Sequence, residues 1–190
     1  MTIPVQIDSN AWNFLFEHAI DIGLALPREQ FRLYITREVE IELSAIPDEG
    51  KDGADKRPLK QYIKDSLTRN HVRATMTFGF AEANPVDGPA TYGGFGQGTF
   101  QSDQERAWRA QDKIQGYIVG KSKRGSGLSG NQADTAVAAA SFHSVVLTCD
   151  KKAGPIPEAV KQGGNVIFLT DALLETDSLT EIVRSAAGAP

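Results

Sequence analysis

The sequence predicts an α/β protein, a three-layer α/β/α sandwich with a mainly parallel central sheet. Short apolar segments of strand length alternate along the chain with segments whose apolar residues recur at helical spacing. Two of the apolar segments end directly on an aspartate, Asp8 and Asp150. In open parallel sheets, groups at the carboxyl ends of strands face the ligand crevice. Because strands that alternate with helices pair in parallel, both observations favour the same architecture.

The first part of the chain predicts two strand–helix units. Apolar residues at 4–7 form the first strand, and Ser9 or Asn10 is suited to cap the helix that follows. Residues 31–36 read as a second strand, and residues 37–46 as the helix after it. Both units fit the predicted parallel sheet.

The middle of the chain predicts an insertion into this architecture. A third helix is expected over 58–69, followed by alternating apolar and polar residues at 72–80. Together with a glycine-rich run, these predict an irregular hairpin or flap over 71–101. Ser102 begins a capping box and opens a further helix that carries Trp108, Ile114 and Ile118. The insertion is therefore expected to span about 71–124.

The last part of the chain returns to strand and helix signals. Residues 132–142 predict a helix that is apolar all round and therefore buried. Residues 144–148 predict a strand, and residues 165–169 a further buried strand after a short helix. The main domain is expected to cover 1–170, and 171–190 to form a C-terminal helix and tail.

Composition limits the class of protein. The 190 residues are 41% hydrophobic and 23% charged, as in an ordinary globular domain, which excludes a disordered tail protein. The single Cys149 excludes a disulfide framework and a cysteine-based zinc site. The first residues show no signal-peptide pattern, and no apolar run approaches ~20 residues. We therefore expect a cytoplasmic protein with no membrane partner.

The net charge of −4 is unevenly distributed. Residues 1–50 carry a net charge of −6, residues 51–134 carry +4, and residues 135–190 carry −2. A basic middle between acidic ends allows cations to bind in one place and polyanions in another. The overall charge therefore does not exclude a nucleic-acid partner.

Four carboxylates are candidates for chemistry. Asp8 and Asp150 follow predicted strands, although either one alone is more often a turn former or helix cap. Asp134 lies in the first turn of the apolar helix, where the helix dipole alone favours a carboxylate. Because that helix is buried, Asp134 also calls for a donor or a cation as partner.

Glu42 is the fourth candidate. Glu38 and Glu42 share one helix face at a spacing of four residues, where like charges repel unless a cation or arginine offsets them. A solvated acidic face is the simpler interpretation. It fits Glu38 and Glu40 better than Glu42, which lies beside Leu43.

The order and surroundings of the four acidic residues resemble those of the PIN-domain nucleases. The motifs that carry the resemblance are Ile7-Asp8-Ser9-Asn10, Thr36-x-x-Val39-x-x-Glu42-Leu43, Ala133-Asp134-Thr135-Ala136-Val137-Ala138-Ala139-Ala140 and Leu147-Thr148-Cys149-Asp150-Lys151. Each motif is weak alone, and their specificity comes from their common order. The resemblance covers about 3–50 and 128–170, whereas 71–124 is longer than in compact members of the family.

The resemblance implies a metal-dependent nuclease site. It implies that the four acidic residues are catalytic and hold one or two Mg²⁺ or Mn²⁺ ions, with Thr148 and Asn10 supporting them. These cations are hard and prefer oxygen ligands, and phosphoryl-transfer sites bind them through a few carboxylates and the substrate phosphate. The metal-binding residues implied in this way are Asp8, Glu42, Asp134 and Asp150.

Basic residues could guide a nucleic acid to this site. The candidates for contact with a phosphate backbone are Arg109, Lys121, Lys123, Arg124 and Lys151. A solvated helix face is an equally good interpretation of any one of them.

The resemblance further implies RNA, and single-stranded RNA first, as the substrate of an endonuclease. Small chains of this kind resemble the VapC-type toxins of toxin–antitoxin modules, which suggests an antitoxin-type inhibitor protein and a homodimer as partners. This role is an analogy. An inactive PIN-like module that binds RNA or protein, and a structure-specific DNA nuclease, remain alternatives.

Overall fold

The computed structural model describes residues 2–78, 91–93, 98–118 and 125–188. In these ranges the chain is an α/β protein whose central sheet has five strands, all parallel, with helices packed on it in three layers. The predicted fold class is confirmed.

The predicted strand and helix segments reappear with small shifts at their ends. The described strands are β1 Ile3–Ile7, β2 Phe31–Thr36, β3 Arg73–Thr75, β4 Thr77–Phe78, β5 Tyr92–Gly93, β6 Val145–Thr148 and β7 Val166–Phe168. The described helices are α1 Ser9–Glu17, α2 Ile22–Ala25, α3 Arg37–Ser44, α4 Arg57–Arg69, α5 Asp103–Arg109, α6 Asp112–Ile118, α7 Gln132–Ala140, α8 Pro155–Lys161, α9 Asp171–Thr176 and α10 Leu179–Ala186.

The central sheet has the strand order β3-β2-β1-β6-β7. The chain builds outward from β1 to β2 and β3, then returns to place β6 on the other side of β1. The strand order therefore reverses between β1 and β6, and the carboxyl ends of the strands at such a switch point border the ligand crevice of an open parallel sheet. Asp8 follows β1, and Thr148 ends β6.

The core lies around the two central strands. Val5 and Ile7 of β1 and all of Val145–Leu147 in β6 are at most 2% exposed. Both strands are buried because helices cover the sheet, which explains their nearly continuous apolar sequence. Helix α7 is built mainly of alanine, and it packs against α3, α5, α6 and α8. The backbone of α7, with Asp134 in its first turn, is held in place by these packing contacts.

The predicted insertion differs from expectation in three ways. Arg73–Thr75 joins the central sheet as β3, because helix α4 provides the crossover that a parallel strand needs. The short strands β4 and β5 pair in parallel, whereas a hairpin would pair them antiparallel. The helix after Ser102 has its predicted capping box but ends at Arg109, and α6 begins at Asp112.

The C-terminal part packs on the domain. Leu179 and Val183 of α10 are buried in the main core, and α10 contacts β7. The predicted C-terminal helix is therefore two helices, α9 and α10. Among the described helices, none is long and apolar enough to cross a bilayer.

Candidate active site

The pairing of β1 with β6 places Asp8 beside Thr148. Ile7 pairs with Leu147 in register, and the Asp8 N–H donates to the Leu147 carbonyl at 3.0 Å. One position further on, the Thr148 hydroxyl donates to Asp8 Oδ2 at 2.6 Å. Two strands that are distant in sequence thus bring a hydroxyl to the carboxylate at the switch point of the sheet.

Asp8 accepts two more hydrogen bonds from the residues that follow it. The Ser9 N–H donates to Oδ1 at 2.7 Å, and Asn10 Nδ2 donates to Oδ2 at 2.7 Å. Asn10 Oδ1 accepts from the Cys149 N–H at 2.6 Å, which ties the start of α1 to the end of β6. The prediction that Ser9 or Asn10 caps α1 is wrong: Asp8 is still extended, so its side chain caps the helix.

Burial determines the electrostatics of Asp8. The residue is 1% exposed, and this desolvation raises the pKa of its carboxyl group. Hydrogen bonds from Thr148 and the Ser9 backbone act in the opposite direction, and the nearby charge of Glu42 raises the pKa further. All the hydrogen-bond donors to Asp8 that the structure describes are neutral. A buried carboxylate in such surroundings favours a cation as an additional partner.

Ser9 links Asp8 to Glu42. The Ser9 backbone binds Asp8, while its hydroxyl donates to Glu42 Oε2 at 2.7 Å. The side chain of Glu42 therefore faces the end of β1. Sequence reasoning missed Ser9 as a site residue. Its position in the sequence could have indicated this role, because a residue directly after a strand-end aspartate lies at the crevice with both its backbone and its side chain.

Asp134 and Asp150 line one cavity of about 160 Å³. The Asp150 N–H donates to Thr148 Oγ1 at 3.0 Å, so the same hydroxyl connects the Asp8 carboxylate to the Asp150 backbone. Lys152 lines this cavity too, and its N–H donates to Asp150 Oδ1 at 2.9 Å. Lys151, which the sequence predicts as a phosphate contact, is not among the residues lining this cavity, and both lysines are exposed.

Asn131 forms the rim of the same cavity in an unusual conformation. It has φ +24° immediately before α7, a region of backbone angles that side chains other than glycine rarely adopt. Its Nδ2 donates to the Tyr117 carbonyl at 3.3 Å. Backbone strain of this kind persists where surrounding contacts enforce it, and it is concentrated at functional sites.

The four predicted carboxylates are arranged as two neighbouring pairs. Asp8 and Glu42 meet through Ser9, and Asp134 and Asp150 face one cavity. Within the described ranges, no group of three or more His, Cys, Asp or Glu side chains is arranged to hold a single ion. Mg²⁺ usually binds through only one or two carboxylates, with waters and substrate phosphates completing its shell. The oxygen-only donors of both pairs fit Mg²⁺ or Mn²⁺ in this manner.

Glu38 is buried, so the predicted solvated face is wrong at this residue. It is 8% exposed, and burial raises the pKa of its carboxyl group, while the charge of Arg109 lowers it. Arg109 comes from α5, far along the chain, and its Nε is buried without a hydrogen-bond partner. Arg109, predicted to contact a phosphate backbone, thus lies near enough to Glu38 for its charge to act on that carboxyl group.

Of the other predicted basic contacts, Lys121, Lys123 and Arg124 lie outside the described residues. Cys149 is adjacent to the site but unsuited to nucleophilic attack. Burial and the charge of Asp8 raise the pKa of its thiol to about 11, so it is protonated at neutral pH.

Comparison with known proteins adds no relative: no family model, curated protein or solved structure matches the chain.

Proposed function

We propose that the protein is a divalent-metal-dependent endonuclease that hydrolyses phosphodiester bonds, with single-stranded RNA as its substrate. One observation carries this proposal: a buried carboxylate at the switch point of a parallel sheet is held by neutral donors. Ser9 joins it to Glu42, and Thr148 joins it to the backbone of Asp150, which shares a cavity with Asp134. Mg²⁺ or Mn²⁺ bound there would lower the pKa of an attacking water and offset charge on the phosphate.

The residues of the chain have distinct tasks in this proposal. Thr148, Asn10 and the Ser9 backbone fix the orientation of Asp8, so the carboxylate needs no rearrangement when its ligand arrives. Ser9 does the same for Glu42. Asp134 and Asp150 border the open cavity, where a scissile phosphate has room to approach. Lys152, on the wall of that cavity, is suited to contact a phosphate oxygen.

The decisive experiment measures cleavage of short single-stranded RNA and DNA of the same sequence, in Mn²⁺ and in EDTA. We expect cleavage of the RNA that depends on Mn²⁺. Asp8→Asn and Asp134→Asn are each expected to lower the initial rate by about 100-fold or more, because each removes a ligand charge while keeping the size of the side chain. Asp177→Asn, an exposed carboxylate between α9 and α10, is the matched control.

Three outcomes contradict the proposal. They are absence of cleavage by the wild type with both substrates, cleavage that persists in EDTA, and full rates in both active-site variants. Faster cleavage of the DNA than of the RNA would show that DNA is the preferred substrate, and the proposed metal-dependent hydrolysis would stand. Binding of RNA without cleavage would favour the inactive module instead.

A role as the toxin of a toxin–antitoxin pair remains part of the proposal. It predicts that expression of the wild type slows cell growth and that expression of Asp8→Asn does not. Equal growth with both proteins at equal abundance would contradict it.

A further inference from the structure

A second cavity, of about 660 Å³, lies at the opposite end of the sheet from the carboxylates. Strand β3 is short, and its first residue, Arg73, pairs with Tyr34. In the described part of the chain, residues 31–33 of β2 therefore have no neighbouring strand on that side. The cavity occupies this space, closed by α2 and by the end of α4.

Four arginines line this cavity, and we call it the arginine pocket. They come from three separate parts of the chain: Arg28 and Arg32 around the start of β2, Arg69 at the end of α4, and Arg73 at the start of β3. No aspartate or glutamate is among the residues lining the pocket. A local charge of about four positive units thus lies in a protein whose net charge is −4.

Intrachain carboxylates neutralise little of this charge. Arg69 lies 3.8 Å from Asp21, and the Arg69 side chain is largely exposed while that of Asp21 is about half exposed. Within the described residues, no carboxylate comes within 4.0 Å of Arg28, Arg32 or Arg73. Guanidinium groups that converge without counter-charges repel one another, and a bound anion relieves the repulsion. Arginine is also the side chain whose planar donors best match phosphate oxygens.

The shape and floor of the pocket indicate the size of the anion. Its volume lies in the range of small-molecule sites, roughly 300–1,000 Å³. The floor is apolar, since the half-buried Tyr34 and Val72 line it and the buried Leu26, Phe31 and Leu33 pack beneath them. A cavity with an apolar floor and a charged rim suits a ligand that has an uncharged ring system and several phosphates. A flat basic surface would fit a nucleic-acid backbone better.

We propose that the arginine pocket binds a nucleoside di- or triphosphate. The phosphates contact the guanidinium groups, and the nucleoside packs on the apolar floor. This site is separate from the candidate active site: the pocket borders the amino-terminal half of β2, and the carboxylates lie beyond the carboxyl ends of the strands. The distance along β2 is about 16 Å for a rise of ~3.3 Å per residue. The proposal does not rest on the nuclease function.

Calorimetric titration of the full chain with ATP, GTP, ADP and tripolyphosphate, in EDTA, tests the proposal. EDTA prevents a metal ion from bridging the phosphates to the carboxylate end. We expect saturable binding of the nucleotides, with the triphosphates tighter than ADP. Arg32→Ala and Arg73→Ala are each expected to weaken binding about tenfold, through the loss of one charge-assisted contact. Both side chains are exposed, so the variants should fold, which circular dichroism verifies.

Arg106→Ala is the matched control, because Arg106 is an exposed arginine that does not line the pocket. Its affinity for nucleotides should equal that of the wild type. Tripolyphosphate binding as tight as ATP binding would contradict the role of the apolar floor. The proposal is overturned by the absence of nucleotide binding at about 1 mM, by equal affinity in the pocket variants, or by tighter binding of a short RNA that lacks terminal phosphates.

Discussion

The two ends of the central sheet carry opposite charges and hold them in different ways. At the carboxyl end, Asp8 is 1% exposed and accepts hydrogen bonds from three residues. At the amino end, the four arginines of the arginine pocket are exposed, and only Arg69 has a carboxylate partner in the described part of the chain.

This difference shows what each kind of charge requires of the fold. A buried carboxylate is costly unless fixed donors or a cation compensate for its lost hydration, so its neighbours must be placed accurately. Exposed arginines keep most of their hydration and require only that the backbone bring them together. Mutations at the carboxyl end should therefore change stability, whereas changes in the solvent should act mainly at the arginine end.

The largest expected effect is that of Thr148→Val. The substitution removes the hydroxyl that donates to Asp8 and accepts from the Asp150 N–H, and it leaves both groups short of a partner. We expect the free energy of unfolding to fall by about 2 kcal/mol. Urea unfolding at neutral pH in EDTA measures it.

Two control variants accompany Thr148→Val. Thr148→Ser keeps the hydroxyl and should retain most of the stability. Thr176→Val, at an exposed threonine of α9, should change the free energy of unfolding by less than about 0.5 kcal/mol. If Thr148→Val were as stable as the wild type, the hydroxyl would not support the buried carboxylate.

A smaller effect is expected from salt, and it should separate the two ends. Raising potassium chloride from about 50 to about 200 mM is expected to weaken nucleotide binding to the arginine pocket several-fold, because salt screens exposed charges. The effect of Thr148→Val on the free energy of unfolding should change by less than about 0.5 kcal/mol over the same range, since buried groups are screened much less. Titration calorimetry measures the change in nucleotide affinity, and urea unfolding measures the change in the free energy of unfolding. Nucleotide affinity that does not respond to salt would contradict the ionic contacts.

The smallest expected effect concerns Glu38, whose pKa is raised by burial. The folded state holds the Glu38 proton more tightly than the unfolded state, so this residue makes stability fall as the pH rises from the unfolded pKa through the folded pKa. Glu38→Gln removes this dependence. We expect the variant to gain on the order of 1 kcal/mol over the wild type between about pH 4 and pH 7.

Urea unfolding across that pH range measures the gain. Glu175→Gln, at an exposed position, is the control and should stay within about 0.5 kcal/mol of the wild type. A constant difference between Glu38→Gln and the wild type at every pH would show that Glu38 titrates alike in the folded and unfolded states. Burial would then not govern its charge.

Local signals in the sequence were sufficient to predict most of the sheet. The strand at 31–36 was predicted with its observed ends, and those of β1 and β6 within one residue, because apolar runs with polar boundaries are local features. The proximity of Asp8 and Thr148 was expected only from the family resemblance, because local signals do not specify that β1 and β6 are neighbours in the sheet.

Features that depend on distant partners could not be predicted. The charge of Arg109, from a later helix, acts on Glu38, and the arginine pocket gathers side chains from three segments. The parallel pairing of β4 with β5 likewise depends on the path of the chain between the two strands. The alternation of apolar and polar residues does not specify that path. Ser9 was missed for another reason. The sequence predicts it as a helix cap, and this role does not indicate that its hydroxyl contacts Glu42.

The hydrogen bond from Thr148 to Asp8 joins residues 140 positions apart. During synthesis, β1 leaves the ribosome long before β6 is made, and at 5–20 residues per second the interval is roughly 7–28 s. Throughout that time Asp8 has no hydroxyl partner, and Asp134 and Asp150 have yet to join it. A nascent chain, or one terminated before β6, therefore lacks the hydrogen bond that holds Asp8, and the four carboxylates come together only after residues 145–150 have been translated.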